Sequence, residues 1–188
     1  MAAERFELKN LAGTLAEVVE KSFQGAFPVN FSDKPAIEIR DIIEYDGRMR
    51  VSGMEIFNGP TYISAVNFYR SAKEQQDGKA CGAIVIYLKE GQLEALLKGA
   101  GFKGVDDEDG QAVMNACAEL SKTIAVNFKN ELKEKGYSEL ILSNAKSYQN
   151  YVPSGIDFSF DQYQKYEISF SIKGEKSLAA DLTLSPIS

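Results

Sequence analysis

Apolar residues recur at helical spacing near the start of the chain. In "ERFELKNLAGTLAEVVEKSF", Leu8, Leu11, Ala12, Leu15, Val18, Val19 and Phe23 fall on one side of a 3.6-residue spiral. The pattern predicts a helix from Glu4 to Phe23, stopped near Gly25 and Pro28. From Ala36 to Arg70 the period changes to alternation, with Ile, Val, Tyr and Phe prominent. Three antiparallel strands account for it: "AIEIRDIIEY", "MRVSGMEIF" and "TYISAVNFY". Asp46-Gly47 supplies a tight turn between the first two, and Asn58-Gly59-Pro60 breaks the next junction. "SAKEQQDGK" reads as a polar loop, and "ACGAIVIYLK" as a buried strand because its apolar run is nearly continuous.

"EGQLEALLKGAGF" is a short helix with a Gly-rich stop at Gly99 and Gly101. The acids of "KGVDDEDGQ" lack the alternating ligand spacing and distal Glu of a calcium loop. They suit the N-terminus of the next helix, where the helix dipole favours negative charge. That helix runs from about Asp109 to Lys135 and ends at Gly136. Val113, Cys117, Leu120, Ile124 and Phe128 form its apolar stripe, with Leu132 at the edge. Asn115, Glu119, Lys122 and Val126 fall on the opposite side and are expected to face outward. "ELILSNAKSY" reads as a strand, "QNYVPSGIDFSFDQYQ" as a loop, and "KYEISFSIKG" with "KSLAADLTLS" as a hairpin turned near Gly174-Glu175. Helices framing strand pairs joined by short turns predict an α+β fold: a mostly antiparallel sheet packed against two long helices, as one domain over residues 1–188.

Composition narrows the chemistry. The chain of 188 residues carries a net charge of -6 and a pI near 4.9. No basic stripe offsets that acidity, so nucleic acid is not an expected partner. The absence of histidine removes His-based metal sites, triads and general bases. Cys81 and Cys117 sit among apolar residues outside any CxxC pair and read as buried reduced thiols. The first residues show no secretory pattern and no apolar run reaches membrane-spanning length, so a cytoplasmic protein without membrane partners is expected. On spacing alone, Glu119 and Lys122 are an i,i+3 pair on a solvated helix face, worth a few tenths of a kcal/mol.

The order of segments adds to this. "GAIVIYLKEGQLEALLKG", an acidic stretch, and "AVMNACAELSKTIAVNFKNELKEKGYSELILSNAKSY" together resemble the CheC/CheX family of chemotaxis phosphatases, over roughly Ala80 to Tyr148. That family has a long helix with a Glu-x-x-Asn motif. The first helix here has no such motif, so the CheX type is the closer fit. The resemblance implies removal of the phosphoryl group from the aspartate of a CheY-like receiver domain. The motif Glu pairs with the receiver's lysine, and the motif Asn orients the attacking water. The chain itself needs no cofactor, because the divalent metal comes with the receiver.

The motif Glu corresponds to Glu119, and the Asn position holds Lys122. A charged lysine has three donors and no acceptor, so it cannot orient water as an amide does. Three readings follow. The protein binds a phosphorylated receiver with phosphatase activity weak or lost. Or it is an active phosphatase that uses Asn115, one turn before Glu119, with Asn127 farther round. Or the fold serves as a non-enzymatic dimeric structural or sensory module. The resemblance also implies a homodimer through the sheet, for which the last hairpin could supply the pairing edge.

Overall fold

The computed structural model describes residues 7–159 and 161–186. Helix α1 (Leu8–Ser22) opens the described chain; the expected start at Glu4 lies outside the described residues. The chain continues through β1 (Ala36–Asp41), β2 (Glu44–Tyr45), β3 (Arg48–Met49), α2 (Met54–Phe57), β4 (Thr61–Tyr69), α3 (Ala72–Gln76) and β5 (Gly82–Lys89). A 3-10 turn (Glu90–Gln92) leads into α4 (Leu93–Gly99). Then come α5 (Gly110–Glu134), β6 (Ile141–Leu142), β7 (Lys146–Gln149), β8 (Gln164–Ile172) and β9 (Glu175–Leu184). The main sheet has the order β1-β8-β9-β5-β4-β6, with β7 also on β4, and every pairing is antiparallel. The expected α+β class and the two long helices are both present.

The strands alternate between two cores, as a period of two requires. Tyr62, Val66 and Phe68 of β4, Ile84, Ile86 and Leu88 of β5, and Leu178, Ala180 and Leu182 of β9 point to α1 and α5. The opposite face carries Ile63, Ala65, Ala83, Val85, Tyr87 and Ala179. It is covered by Met49, Val51, Val152 and Ile156, which come from the β2–β3 hairpin, the chain after it and the loop beyond β7. Burial on both faces explains why β5 reads as a continuous apolar run. Each large side chain so buried contributes roughly 1.5–3 kcal/mol.

Polar groups are also buried on that second face. Asp181 of β9 is fully buried. One of its oxygens, Oδ2, accepts from the Tyr87 hydroxyl at 2.6 Å and from Lys165 Nζ at 2.8 Å. Burial pushes the Asp181 carboxyl above its ordinary value, against the lowering influence of Lys165. Burial and the neighbouring carboxylate push the Tyr87 phenol well up. Next to this cluster, Glu167 accepts from Lys176 at 2.6 Å.

Several expectations are corrected. "MRVSGMEIF" is not a strand. Only Arg48 and Met49 pair, across a turn at Asp46 (φ 51°) and Gly47 (φ 75°), and the chain then coils into α2. Asn58 ends α2 in the left-handed region (φ 55°). β1 pairs with β8 instead of the segment that follows it, a long-range choice that local alternation does not encode. The "SAKEQQDGK" loop contains α3, capped by the Ser71 side chain, which accepts from the Glu74 amide. "ELILSNAKSY" is two short strands with an interruption at residues 143–145. The last hairpin supplies no pairing edge: β8 is bonded to β1 and β9 to β5, so both strands lie inside the sheet.

Candidate functional site

α5 carries the site because both its ends and its buried stripe are fixed. The Asp109 side chain accepts from the Ala112 amide at 3.2 Å, an N-cap just after the acidic run. At the other end Gly136 takes φ 86°, which a side chain would resist. Val113, Cys117, Leu120, Ile124, Phe128 and Leu132 are all buried, as the spacing predicts. Buried hydroxyls add direction: Ser121 Oγ lies 2.5 Å from Ser64 Oγ of β4 and donates to the Ala118 carbonyl at 3.1 Å. Burial raises the Cys117 thiol to about 12 and the Cys81 thiol to about 11. Both cysteines are free and buried, so they are inert at neutral pH.

One flank of α5 is tied to the chain after it. Ser147 Oγ donates to the Met114 carbonyl at 2.7 Å. Lys122 Nζ donates to the Ser143 carbonyl at 3.2 Å. Lys129 Nζ pairs with Glu139 at 3.3 Å. As the helix number rises the partner number falls, so residues 139–147 run antiparallel along the helix flank.

The expected outward residues behave differently from one another. Glu119 is exposed and has no hydrogen bond or ion pair with any described residue. Asn115 is exposed one turn earlier, and its Oδ1 accepts from Gln111 Nε2 at 2.9 Å. Val126 is exposed as well. Lys122 is half-buried, with its ammonium spent on Ser143, so the Glu119–Lys122 ion pair that spacing allows is not made. The face presents a free carboxylate, ready to meet a cation on another molecule. The position one turn on offers no acceptor.

Sequence reasoning missed Ser143. The Ser143 amide donates to the Asn67 carbonyl at 3.0 Å, and its hydroxyl accepts from the Asn67 amide at 2.9 Å. A side-chain oxygen thus stands in for a strand carbonyl and interrupts the strand. The signal was the Ser-Asn pair inside "ILSNAK", since such residues satisfy the backbone locally and break strands. Among the described residues no group of three or more Cys, Asp or Glu side chains is placed to hold a metal ion. No helix among them is long and apolar enough to cross a membrane.

Solved structures share this fold over most of the chain. A candidate chemotaxis protein from Desulfovibrio vulgaris Hildenborough aligns with a TM-score of 0.59 and 11% identity, over 94% of this chain and 97% of its own. The fold is that of the CheX- and CheC-like chemotaxis proteins. A CheC-like superfamily protein from Shewanella sp. PV-4 aligns at 0.56 with 13% identity, over 92% of this chain and 96% of its own. The CheX–CheY–BeF3–Mg2+ complex from Borrelia burgdorferi provides a third, at 0.52 and 14% identity, over 95% of this chain and 98% of its own. No family model and no curated protein matches the sequence itself. The CheX-like fold therefore reaches this chain through structure, at identities where little besides buried pattern and element order survives.

Proposed function

We propose that this CheX-like chain binds the phosphorylated receiver domain of a CheY-type response regulator through the outward face of α5. The observation that carries the reading is Glu119. It is an exposed, unpaired carboxylate on a helix locked to the sheet by a buried stripe and three flank ties. A rigid element keeps such a group at fixed geometry without an ordering cost on binding. Two further points support it. The resemblance to the CheC/CheX family implies that Glu119 stands at the motif's docking acid, and a structure of the same fold is that of a CheX–CheY complex. The partner group is a lysine in the receiver's acidic pocket, and any divalent metal arrives with the receiver.

Hydrolysis is expected to be weak. Phosphoryl transfer to water depends on positioning the water and stabilising charge. Lys122 has no acceptor for a water proton, and its ammonium is already engaged. Asn115 keeps its amide hydrogens free, but its oxygen accepts from Gln111 and it precedes Glu119 instead of following it. Asn115 is thus a neighbour of the docking acid that can hydrogen-bond the receiver's surface.

Titration of the protein with a panel of beryllofluoride-activated receivers tests the proposal. One receiver binds, and Glu119→Lys raises its Kd at least tenfold while leaving thermal stability unchanged. If none of the panel binds, or if Glu119→Lys binds as tightly as the parent, receiver docking on this face is wrong.

A further inference from the structure

The face of the sheet turned away from α5 has a charged corner beside β1. Residues directly opposite on antiparallel strands share a face, and here the register sets like charge against like. Glu38 of β1 stands opposite Glu167 of β8, which stands opposite Asp181 of β9. Two residues along, Arg40 stands opposite Lys165. Like charges so placed are destabilising. Diagonal contacts reconcile the two rows: Arg40 Nε lies 3.8 Å from Glu167, and Lys165 Nζ lies 2.8 Å from Asp181. Alternating signs across the strands would avoid the repulsion. The observed order instead gathers positive charge along one side of the carboxylates.

A cavity of about 280 Å³ opens over this corner. Arg40, Lys165 and Lys176 line it from the sheet, and Arg50 lines it from the chain between β3 and α2. The acids of the sheet lie beneath the cations. Side-chain exposure is 7% for Glu167 and 0% for Asp181, against 13% for Lys165, 33% for Lys176 and 53% for both arginines. An incoming molecule therefore meets the cations first. Asp41 and Glu55 are the exposed acids of the lining, so four cations face two of them in a chain whose net charge is -6. The cations also have capacity to spare. Among the described residues Arg50 makes one hydrogen bond, to Glu55 at 2.7 Å, and Lys176 makes one, to Glu167 at 2.6 Å. Most of their N–H donors are open.

We propose that this cavity binds a small dianion, a dicarboxylate or a phosphate group. Arg40 and Arg50 grip its oxygens, since a guanidinium fork matches either group. Lys165 and Lys176 add charge and are held in place from below by Asp181 and Glu167. The volume suits a ligand smaller than a drug-sized molecule. The site lies across the sheet from α5, so it stands or falls independently of receiver docking.

Isothermal titration calorimetry of the full chain at low ionic strength tests it, with succinate, inorganic phosphate and acetate as probes. Succinate or phosphate binds, and the monoanion acetate binds about tenfold more weakly or less well still, as the loss of a charge-assisted contact requires. Preference for succinate identifies a dicarboxylate site and preference for phosphate a phosphate site. Arg40→Gln and Arg50→Gln each raise the Kd of the preferred dianion about tenfold or more. Both arginines are half-exposed, so the thermal midpoint stays that of the parent; should one variant fail to fold, the other decides. Lys9→Gln, on α1 across the sheet, removes the same charge and leaves the Kd unchanged. The inference is overturned if neither dianion binds, or if acetate binds as tightly as they do. It is also overturned if the arginine variants keep the parent Kd, or if Lys9→Gln weakens binding as much as they do.

Discussion

Removing the ammonium of Lys165 tests how the outer face of the sheet holds its buried charge. Lys165→Met keeps most of the stem volume and leaves Asp181 fully buried with one partner, the Tyr87 hydroxyl. The Asp181 side chain is 0% exposed and that of Lys165 13%, so solvent screens the pair little. Breaking a buried pair by deleting one member costs about 3–5 kcal/mol. For a chain of this size that corresponds to a fall in Tm of about 6–20 °C.

The pH dependence carries a sign. Burial raises the Asp181 carboxyl in the folded protein above its ordinary value of 3.8. The folded state therefore binds more protons than the unfolded state between 3.8 and the raised value, and stability declines as pH rises through that window. Lys165 is the chief lowering influence, so its removal moves the upper end of the window higher. The deficit of Lys165→Met is then largest near pH 7 and shrinks toward pH 4, as Asp181 takes up its proton. Urea unfolding followed by circular dichroism at both pH values measures it. A deficit below about 1 kcal/mol at pH 7, the worth of an exposed pair, refutes the reasoning. So does an equal deficit at the two pH values.

Three further outcomes are expected. Ser121→Ala leaves the buried Ser64 hydroxyl without its partner and costs about 1–3 kcal/mol in urea unfolding; adding Ser64→Ala costs less than the sum of the two single changes. Gly82→Ala sets a methyl 2.6 Å from the Thr183 carbonyl oxygen of the adjacent strand, so β5 and β9 must separate, at about 1–3 kcal/mol. Iodoacetamide at pH 8 leaves Cys81 and Cys117 unmodified in the folded protein and labels both in urea, as intact mass shows, because burial holds their thiols near 11 and 12.

The parts of this structure legible in the sequence are those set by local period. The α5 stripe from Val113 to Leu132, its stop at Gly136 and the buried run of β5 each follow from spacing within one segment. The pairing of β1 with β8, more than a hundred residues on, does not, because no local pattern names a distant partner. The small elements failed for another reason. α2 and the β2–β3 hairpin are too short to show a period, and their conformation follows from the second core they cover. At the site, helical spacing put Glu119 outward correctly. It could not reveal that Lys122 would bend to Ser143, since that bond depends on where the strand beyond α5 returns.

That return also settles how the sheet can grow. β6 and β7 share one border of the sheet, and Ser143 breaks it by bonding sideways to Asn67. A guest strand laid there would find two short stubs out of step, one with an exposed lysine at its start, Lys146. The other border is β1, six residues in unbroken register with β8. Among the described residues the sheet is therefore polar in the sense of a crystal face: one rim is passivated, and extension by backbone bonding is left to the other.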